Sequence, residues 1–363
     1  MSYLNLLYLF VNFNFLVPHY FLLPFLIFFI FQNKMLFNKK ILPLYGIVSI
    51  SSLYNMFYNS DTFNPLLYFH LFFIIFISFT FIEKRIKFDQ LLISVKFISV
   101  LNFVLLFTYF FDLRDMLFYE NLSFFRFKSL YMEPSIIALC TVLNMVLLFL
   151  YDVSKLKKYF ILINAVVLFF TFSGSGFGIL LGLLLLYGLK KVSIKNLLFL
   201  GIALFVSMLY IEHIDNAFTH RVISLLSGNF DTSAVLRFFA PFELITNIIK
   251  SNPINLFFGV GDPRLFIKAN FSQFELFYLW NGEPTYQVNN AYAVMFGMGG
   301  ILLILSMVSN ILFTRKKTHY LIYAYVLLFP FFSGHFVSIH FFFLVALIKY
   351  TAIYKDNNEC SHS

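Results

Sequence analysis

The feature that most constrains this chain is a succession of about twelve apolar runs separated by short lysine-rich clusters. The runs fall near 3–17, 19–33, 41–58, 65–82, 91–111, 133–151, 159–172, 176–189, 197–213, 288–313, 319–334 and 336–353. A helix of about twenty residues crosses the hydrocarbon core of a bilayer. In lipid, only helices and closed barrels satisfy their own backbone hydrogen bonds. The first two runs, 159–172 and 176–189 fall short of that length, so the expected count is about 10–12 helices. Hydrophobic residues make up 60% of the chain and charged residues 12%, roughly half the charge of a soluble domain. The sequence therefore reads as all-α and polytopic, with one integral membrane domain over 1–363. The fifty-five Phe need no functional account, because lipid-facing helices accept Phe wherever they accept Leu. The first run has no basic stretch and no small-residue cleavage site, and reads as a retained helix rather than a signal peptide. Cys140 lies in an apolar run and Cys360 in the polar tail, so no disulfide framework is implied.

Threading these runs through a bilayer places every basic cluster on one side. The cytoplasmic turns become Lys34 with Lys39 and Lys40, then Lys84, Arg85 and Lys87, then Lys155, Lys157 and Lys158. They continue with Lys190, Lys191 and Lys195, then Arg315, Lys316 and Lys317, and the tail over 354–363. Both termini are then cytoplasmic, in accord with the positive-inside rule. The net charge of +9 is thereby explained by topology and attraction to anionic lipid, and no nucleic-acid partner is expected.

The arginines do not follow the lysines. Of nineteen Lys and seven Arg, sixteen Lys but only Arg85 and Arg315 fall inside. Arg114, Arg126, Arg221, Arg237 and Arg264 fall outside, beside only Lys128, Lys250 and Lys268. The rigid, permanently charged guanidinium fork suits phosphate and pyrophosphate better than an ammonium does. Two external segments carry these residues, near 112–132 and 214–287. The second is the large external loop. Its recurring Phe, Leu and Ile let it bury an apolar face. Asp231-Thr232-Ser233 offers a helix N-cap, and the stretch from Val235 to Lys250 reads as an amphipathic helix kinked at Pro241 and suited to the membrane surface. Asn252-Pro253 ends it, and Gly259-Val260-Gly261-Asp262-Pro263 predicts a tight turn.

Three constellations share the outer face. In Arg126-Phe127-Lys128-Ser129-Leu130-Tyr131-Met132-Glu133-Pro134-Ser135, Pro134 suits a first helical turn and Glu133 sits at the helix mouth, where the positive dipole end favours a carboxylate. Glu133 is there either as a site acid or as a helix-start residue paired with Arg126. In Thr171-Phe172-Ser173-Gly174-Ser175-Gly176, the hydroxyls and amides suit either anion binding or a hairpin turn with close helix packing. The third is the loop with Arg221, Arg237 and Arg264, followed by Asn289-Asn290 at the start of the next helix. These arginines fit either an anion or lipid headgroups. His335 and His340 lie near the last external turn. Glu212-His213-Ile214-Asp215 has no recognised metal spacing, and there is no Asp-x-Asp pair, so no metal and no cofactor is expected.

On these residues the chain resembles the bacterial polysaccharide repeat-unit polymerases, the O-antigen and capsule polymerase family, which are related to the O-antigen ligases. The marks are Arg-Phe-x-Ser-x-Tyr-x-Glu-Pro at 126–134, Thr-Phe-Ser-Gly-Ser-Gly at 171–176, the loop with Ser233-x-x-x-Arg237 and Asn252-Pro253…Gly259-x-Gly261, and Asn289-Asn290-Ala291-Tyr292 leading into a helix. They cover about 120–300, and the N-terminal spans add only general character. Two positions depart from the family pattern: Gly174 where many members carry Arg, and Asn289 where ligases typically carry His.

The resemblance implies a membrane glycosyltransferase (GT-C-like) architecture in the bacterial inner membrane. The implied enzyme transfers a growing glycan from undecaprenyl pyrophosphate to a lipid-linked repeat unit at the outer face, without a metal. Its partners would be the undecaprenyl-pyrophosphate-linked oligosaccharide, membrane lipid and a polysaccharide chain-length regulator. Arg221 and Arg237 are expected to clamp the pyrophosphate with help from Arg126, and Glu133 to orient or deprotonate the acceptor hydroxyl. Lys128, Ser173, Ser175, Arg264, Asn290 and His335 are the expected substrate contacts. An O-antigen ligase and a lipid-linked oligosaccharide flippase or other transporter are the alternatives.

Overall fold

The computed structural model describes residues 2–13, 19–33, 35–82, 88–110, 117–121, 124–131, 133–191, 235–278, 282–312, 319–333 and 341–348. Expectations for 197–213, Arg114, Asp231-Thr232-Ser233, Arg221, His335, His340 and the 354–363 tail lie outside the described residues. The described chain is predominantly helical. Its elements are α1 (Tyr3–Phe13), α2 (Leu22–Asn33), α3 (Leu42–Tyr58), α4 (Pro65–Phe79), α5 (Phe88–Leu106), α6 (Pro134–Tyr151), α7 (Lys157–Thr171) and α8 (Gly174–Lys191). The loop region contributes α9 (Ala240–Ser251), α10 (Asn255–Phe258) and α11 (Pro263–Ala269), followed by α12 (Ala291–Leu312) and α13 (Tyr320–Phe332). A further helical stretch covers 341–348. Five of these helices carry proline in their first turn, α3, α4, α6, α9 and α11. There the missing amide costs nothing and the fixed φ is already helical.

Four helices are long and apolar enough to cross a membrane: Lys39–Tyr58, Phe88–Leu106, Pro134–Tyr151 and Ala291–Asn310. Shorter apolar helices accompany them, among them α1, α2, α4, α8 and α13. The sequence did not predict the two small antiparallel pairs. β1 (Leu36–Phe37) pairs with β2 (Phe81–Ile82), with Leu36 opposite Ile82. This joins the chain just before Lys39 and Lys40 to the chain just before the 83–87 cluster. β3 (Phe118–Asn121) and β4 (Phe124–Phe127) form a hairpin between α5 and α6, with Arg126 opposite Tyr119.

The main core centres on α6, whose Ile137, Ala138, Val142, Leu147 and Leu148 are fully buried. A Cβ on Gly176 would lie 2.6 Å from the Ala138 methyl, and one on Gly178 would lie 2.7 Å from the Phe332 ring. Small residues thus let α8 approach α6 and α13, the usual device where lipid supplies no hydrophobic drive between helices. Polar residues isolated within the apolar runs find partners across helices. Tyr8 donates to Asn144 Oδ1 at 2.6 Å, Asn164 Nδ2 to Ser99 Oγ at 2.8 Å, and Tyr325 to the Leu139 carbonyl at 2.7 Å.

The large loop builds a second core together with the start of α12, from Leu236, Ala240, Leu244, Ile248, Val260, Phe266, Ile267, Phe274, Phe277, Val288, Ala293 and Phe296. The helix expected over 235–250 forms from Ala240 on; Leu236, Ala240, Leu244 and Ile248 pack into this core, while Phe238, Phe239 and Phe242 stay exposed. The carboxylate of Glu243 accepts from the amides of Glu275 at 2.6 Å and Leu276 at 3.1 Å, fastening the returning chain to α9. Pro241 does not kink a continuous helix. It opens α9 directly after a π-helical turn over Val235–Phe239.

The loop does not stay outside the bundle. α12 is interrupted at Gly299 (φ −148°, ψ 17°) and Gly300 (φ 59°, ψ −159°). Segment 252–262 packs beside this break. A Cβ on Gly300 would lie 2.3 Å from the Phe257 carbonyl carbon, and one on Gly259 would lie 2.2 Å from the Gly297 oxygen. Only glycine fits such contacts at positive φ. Gly300→Ala is expected to cost about 3 kcal/mol or more, from a disfavoured φ and a backbone clash. Gly46, in α3, faces open space, and a Cβ there would meet nothing within 4 Å, so Gly46→Ala is expected to be neutral or mildly stabilising. Thermal unfolding of the purified chain checks the pair; equal melting of the two variants would contradict the wedge.

Candidate functional site

A cavity of about 360 Å³ opens where α6, the loop and α12 meet, and it is lined by Glu133, Arg237, Asp262, Arg264, Gln287 and Asn289 among others. Three expected site residues, Glu133, Arg237 and Arg264, are therefore brought together from widely separated parts of the sequence. Ser135 and Ser333 add hydroxyls, and Leu67, Leu139, Val288, Val294 and Phe332 add an apolar wall. The lining carries two cations and two carboxylates, so it is a balanced site and not a simple anion trap. Its polar and apolar parts suit an amphiphilic occupant.

Glu133 precedes α6 in extended conformation (φ −135°, ψ 146°). Its side chain is exposed and accepts a hydrogen bond from Ser135 Oγ at 3.0 Å. It makes no side-chain cap, which leaves the carboxylate at the positive end of the helix without spending it on the backbone.

Arg237 sits in the π-helical turn Val235–Phe239. Such turns recur at functional sites because they aim one side chain out of the regular helical register. Asn290 ties the turn to the start of α12. Asn290 Nδ2 donates to the Arg237 carbonyl at 3.0 Å, and Asn290 Oδ1 accepts from the Ala293 amide at 3.2 Å. The expected substrate contact Asn290 is thus 5% exposed and acts as the cap of α12 and the anchor of the Arg237 turn. The neighbouring Phe238 ring packs edge-on against Phe332 at 5.6 Å.

Arg264 follows the glycine turn that the sequence predicted. Gly259 and Gly261 both adopt positive φ, 73° and 97°. The Val260 and Gly261 amides donate to the Gly297 carbonyl at 2.7 and 3.1 Å, and the Asp262 amide to the Thr62 carbonyl at 2.8 Å. Thr62 Oγ1 donates to the Val260 carbonyl, and Asn55 Nδ2 to that of Phe258 at 3.0 Å. The turn between α3 and α4 is therefore part of the site's frame. The hydrogen bond from Arg264 to Asp262 raises the guanidinium pKa further, so Arg264 is charged at any working pH.

The other expected residues that are described, Arg126, Lys128, Ser173 and Ser175, do not line the cavity. Arg126 Nε donates to the Thr171 carbonyl at 3.1 Å, at the C-terminal end of α7, where a cation is favoured by the dipole. Arg126 and Lys128 are not among the cavity's lining residues. Ser173 and Ser175 are each 1% exposed, buried in the α7–α8 turn, with Phe172 in left-handed conformation at φ 45°. The turn is thus a tight hairpin with close helix packing, one of the two readings its sequence allowed. The sequence reading missed Asp262 as a site residue although Asp-Pro-Arg after Gly-x-Gly signals an N-cap. Gln287, Ser135 and Ser333 carried no signal, because nothing in their neighbourhood marks them apart from ordinary polar loop residues. Among the described residues no three His, Cys, Asp or Glu side chains gather in a way that could hold a metal ion.

No family model, no curated protein and no solved structure matches the chain.

Asn290→Ala removes both the cap and the anchor, and is expected to lose about 1 kcal/mol or more of stability. Asn290→Asp keeps the cap acceptor but loses the donor to the Arg237 carbonyl, and is expected to recover only the cap's share of that loss. Chemical denaturation of both variants checks this, and equal losses would show that the cap contributes nothing.

Proposed function

We propose that the chain is a membrane glycosyltransferase that extends a polysaccharide, moving a growing glycan from undecaprenyl pyrophosphate onto a lipid-linked repeat unit. The observation that carries the reading is the convergence of Glu133, Arg237 and Arg264 on one cavity with an apolar wall. The proposed GT-C-like architecture has support only from the apolar helices, four of which are long enough to span.

The chemistry follows from those groups. An acceptor hydroxyl attacks the anomeric carbon, the bond from that carbon to the pyrophosphate oxygen breaks, and lipid pyrophosphate leaves with the bonding electron pair. Charge builds on the leaving group, so preoriented guanidinium groups stabilise the transition state more than the ground state. Each charge-assisted hydrogen bond supplies roughly 1.5–3 kcal/mol. Glu133, acidic, exposed and held by Ser135, takes the acceptor proton. Gln287 and Asn289 offer neutral donors and acceptors of the kind that sugar hydroxyls use. Asn289 occupies the position where ligases of the resembling group typically carry His, which favours a polymerase over a ligase.

A specific feature favours a second reading. Broken helices are typical of transporters, and α12 is broken at Gly299–Gly300. Here, however, the Gly297 carbonyl beside the break accepts from loop amides and the Met298 carbonyl from Tyr68. The break receives a piece of the chain itself, which favours the enzyme.

Purified protein incubated with its lipid-linked repeat unit is expected to yield longer oligomers. A change of membrane side without a change of glycan length would instead identify a flippase. In the same assay Arg237→Lys is expected to lose at least about tenfold in rate, because an ammonium cannot reproduce the fork. Glu133→Gln is expected to lose about 10²–10⁴-fold, the usual scale for a general base. Full polymer length from both variants would remove the assigned roles.

A further inference from the structure

The Asp262 carboxylate accepts four hydrogen bonds, two on each oxygen. Oδ1 receives the Arg264 amide at 3.0 Å and Arg264 Nε at 3.1 Å. Oδ2 receives Arg264 Nη2 at 3.0 Å and Asn64 Nδ2 at 3.1 Å. The two partners differ sharply in exposure: the Asp262 side chain is 3% exposed and that of Arg264 is 57% exposed. An isolated surface ion pair contributes little and wanders. This pair is different, because its acid is buried and locked from both sides. Asn64 is itself fixed, since its Oδ1 accepts from the Leu67 amide at 3.3 Å as the N-cap of α4.

Geometry then decides what Arg264 can do. A guanidinium has five donors in one plane, arranged as two usable edges. Asp262 occupies the Nε–Nη2 edge. The opposite edge, Nη1 with the second Nη2 hydrogen, is a second fork with the spacing of two phosphate oxygens. Without Asp262 the long side chain would sample many rotamers, and ordering it on binding would cost entropy. With Asp262 that ordering is already done.

We propose that Asp262 and Asn64 are positioning residues that turn the second guanidinium edge of Arg264 into the cavity, where it binds a phosphate group. This rests on the cavity being a pyrophosphate site, and it assigns a role in that site to the α3–α4 turn. Asp262 acts through Arg264 and is not a catalytic residue. Its charge also offsets that of Arg264, so the pair contributes direction rather than net charge, and specificity for a doubly forked anion rather than for any anion.

The test is inorganic pyrophosphate binding, measured by calorimetry on the purified full chain in detergent. Asp262→Asn keeps a good N-cap for α11 but gives up the charged bidentate hold. Asn64→Ser keeps an N-cap for α4 but withdraws the Nδ2 donor from Asp262 without adding charge. Asp262→Asn is expected to weaken binding roughly tenfold, the scale of one charge-assisted hydrogen bond, and Asn64→Ser several-fold, each read on protein that still melts cooperatively. In an Arg264→Ala background neither substitution should weaken binding further, because contacts that act as a unit are non-additive. Equal losses with and without Arg264 would overturn the proposal, as would unchanged or tighter binding by Asp262→Asn. If one variant unfolds, the other carries the same test. Wild type that binds no pyrophosphate would overturn the pyrophosphate reading itself and this role with it.

Discussion

Two amides of a glycine turn, those of Val260 and Gly261, donate to one carbonyl, that of Gly297, beside the point where α12 breaks. Much of the site depends on this junction. A carbonyl left unpaired inside an apolar helix bundle would cost several kcal/mol. A loop amide from outside the helix meets that need here. The loop in turn gains a fixed address, between the α3–α4 turn and the break in α12. Asp262, Arg264 and the start of α11 follow within a few residues, so their placement is inherited from the backbone contact. Arg237 is fixed from the other side, through Asn290 at the N-terminal end of the same helix. One broken helix therefore anchors the segments that bear both arginines of the cavity, one at its start and one beside its interruption.

The two carboxylates are used differently. Asp262 is buried and spends its four acceptor sites on Arg264 and Asn64. Glu133 is exposed, holds one hydroxyl and caps nothing. That division suits a site in which one acid organises a cation and the other meets the substrate. It also explains how a cavity with balanced charge can favour a concentrated anion: direction and preorganisation matter more than net charge in a site partly screened from water.

What was legible in the sequence was mostly local. Pro134 marked the start of α6, Asn252-Pro253 marked the end of α9, and Gly259 and Gly261 marked the turn, each through a backbone preference that a single residue imposes. The apolar runs marked the bundle. Of the arginines that the sequence set apart from the lysines, Arg237 and Arg264 line the cavity and Arg126 does not. Arg126 was harder to read, because its bond to the Thr171 carbonyl joins a hairpin strand to a helix end 45 residues away. The role of Asn55, Thr62 and Asn64 was illegible for the same reason: they lie some 200 residues from the turn they hold. The Ser-Gly turn left two readings open, because hydroxyls and glycine serve anion binding and close packing alike; the close approach of Gly176 to Ala138 shows the packing.

The central claim is that the 252–262 segment is inserted in the bundle beside α3. The Tyr54 and Phe258 rings lie 5.1 Å apart in this arrangement. Cysteines placed at Tyr54 and Phe258, in a chain with Cys140 and Cys360 replaced by alanine, should be joined in native membranes by a short thiol-specific cross-linker. The product is read as a fragment that stays linked after proteolysis between the two positions. The account predicts efficient cross-linking that depends on both cysteines. Absence of the linked product, from protein that still melts cooperatively, would place the loop outside the bundle and contradict it.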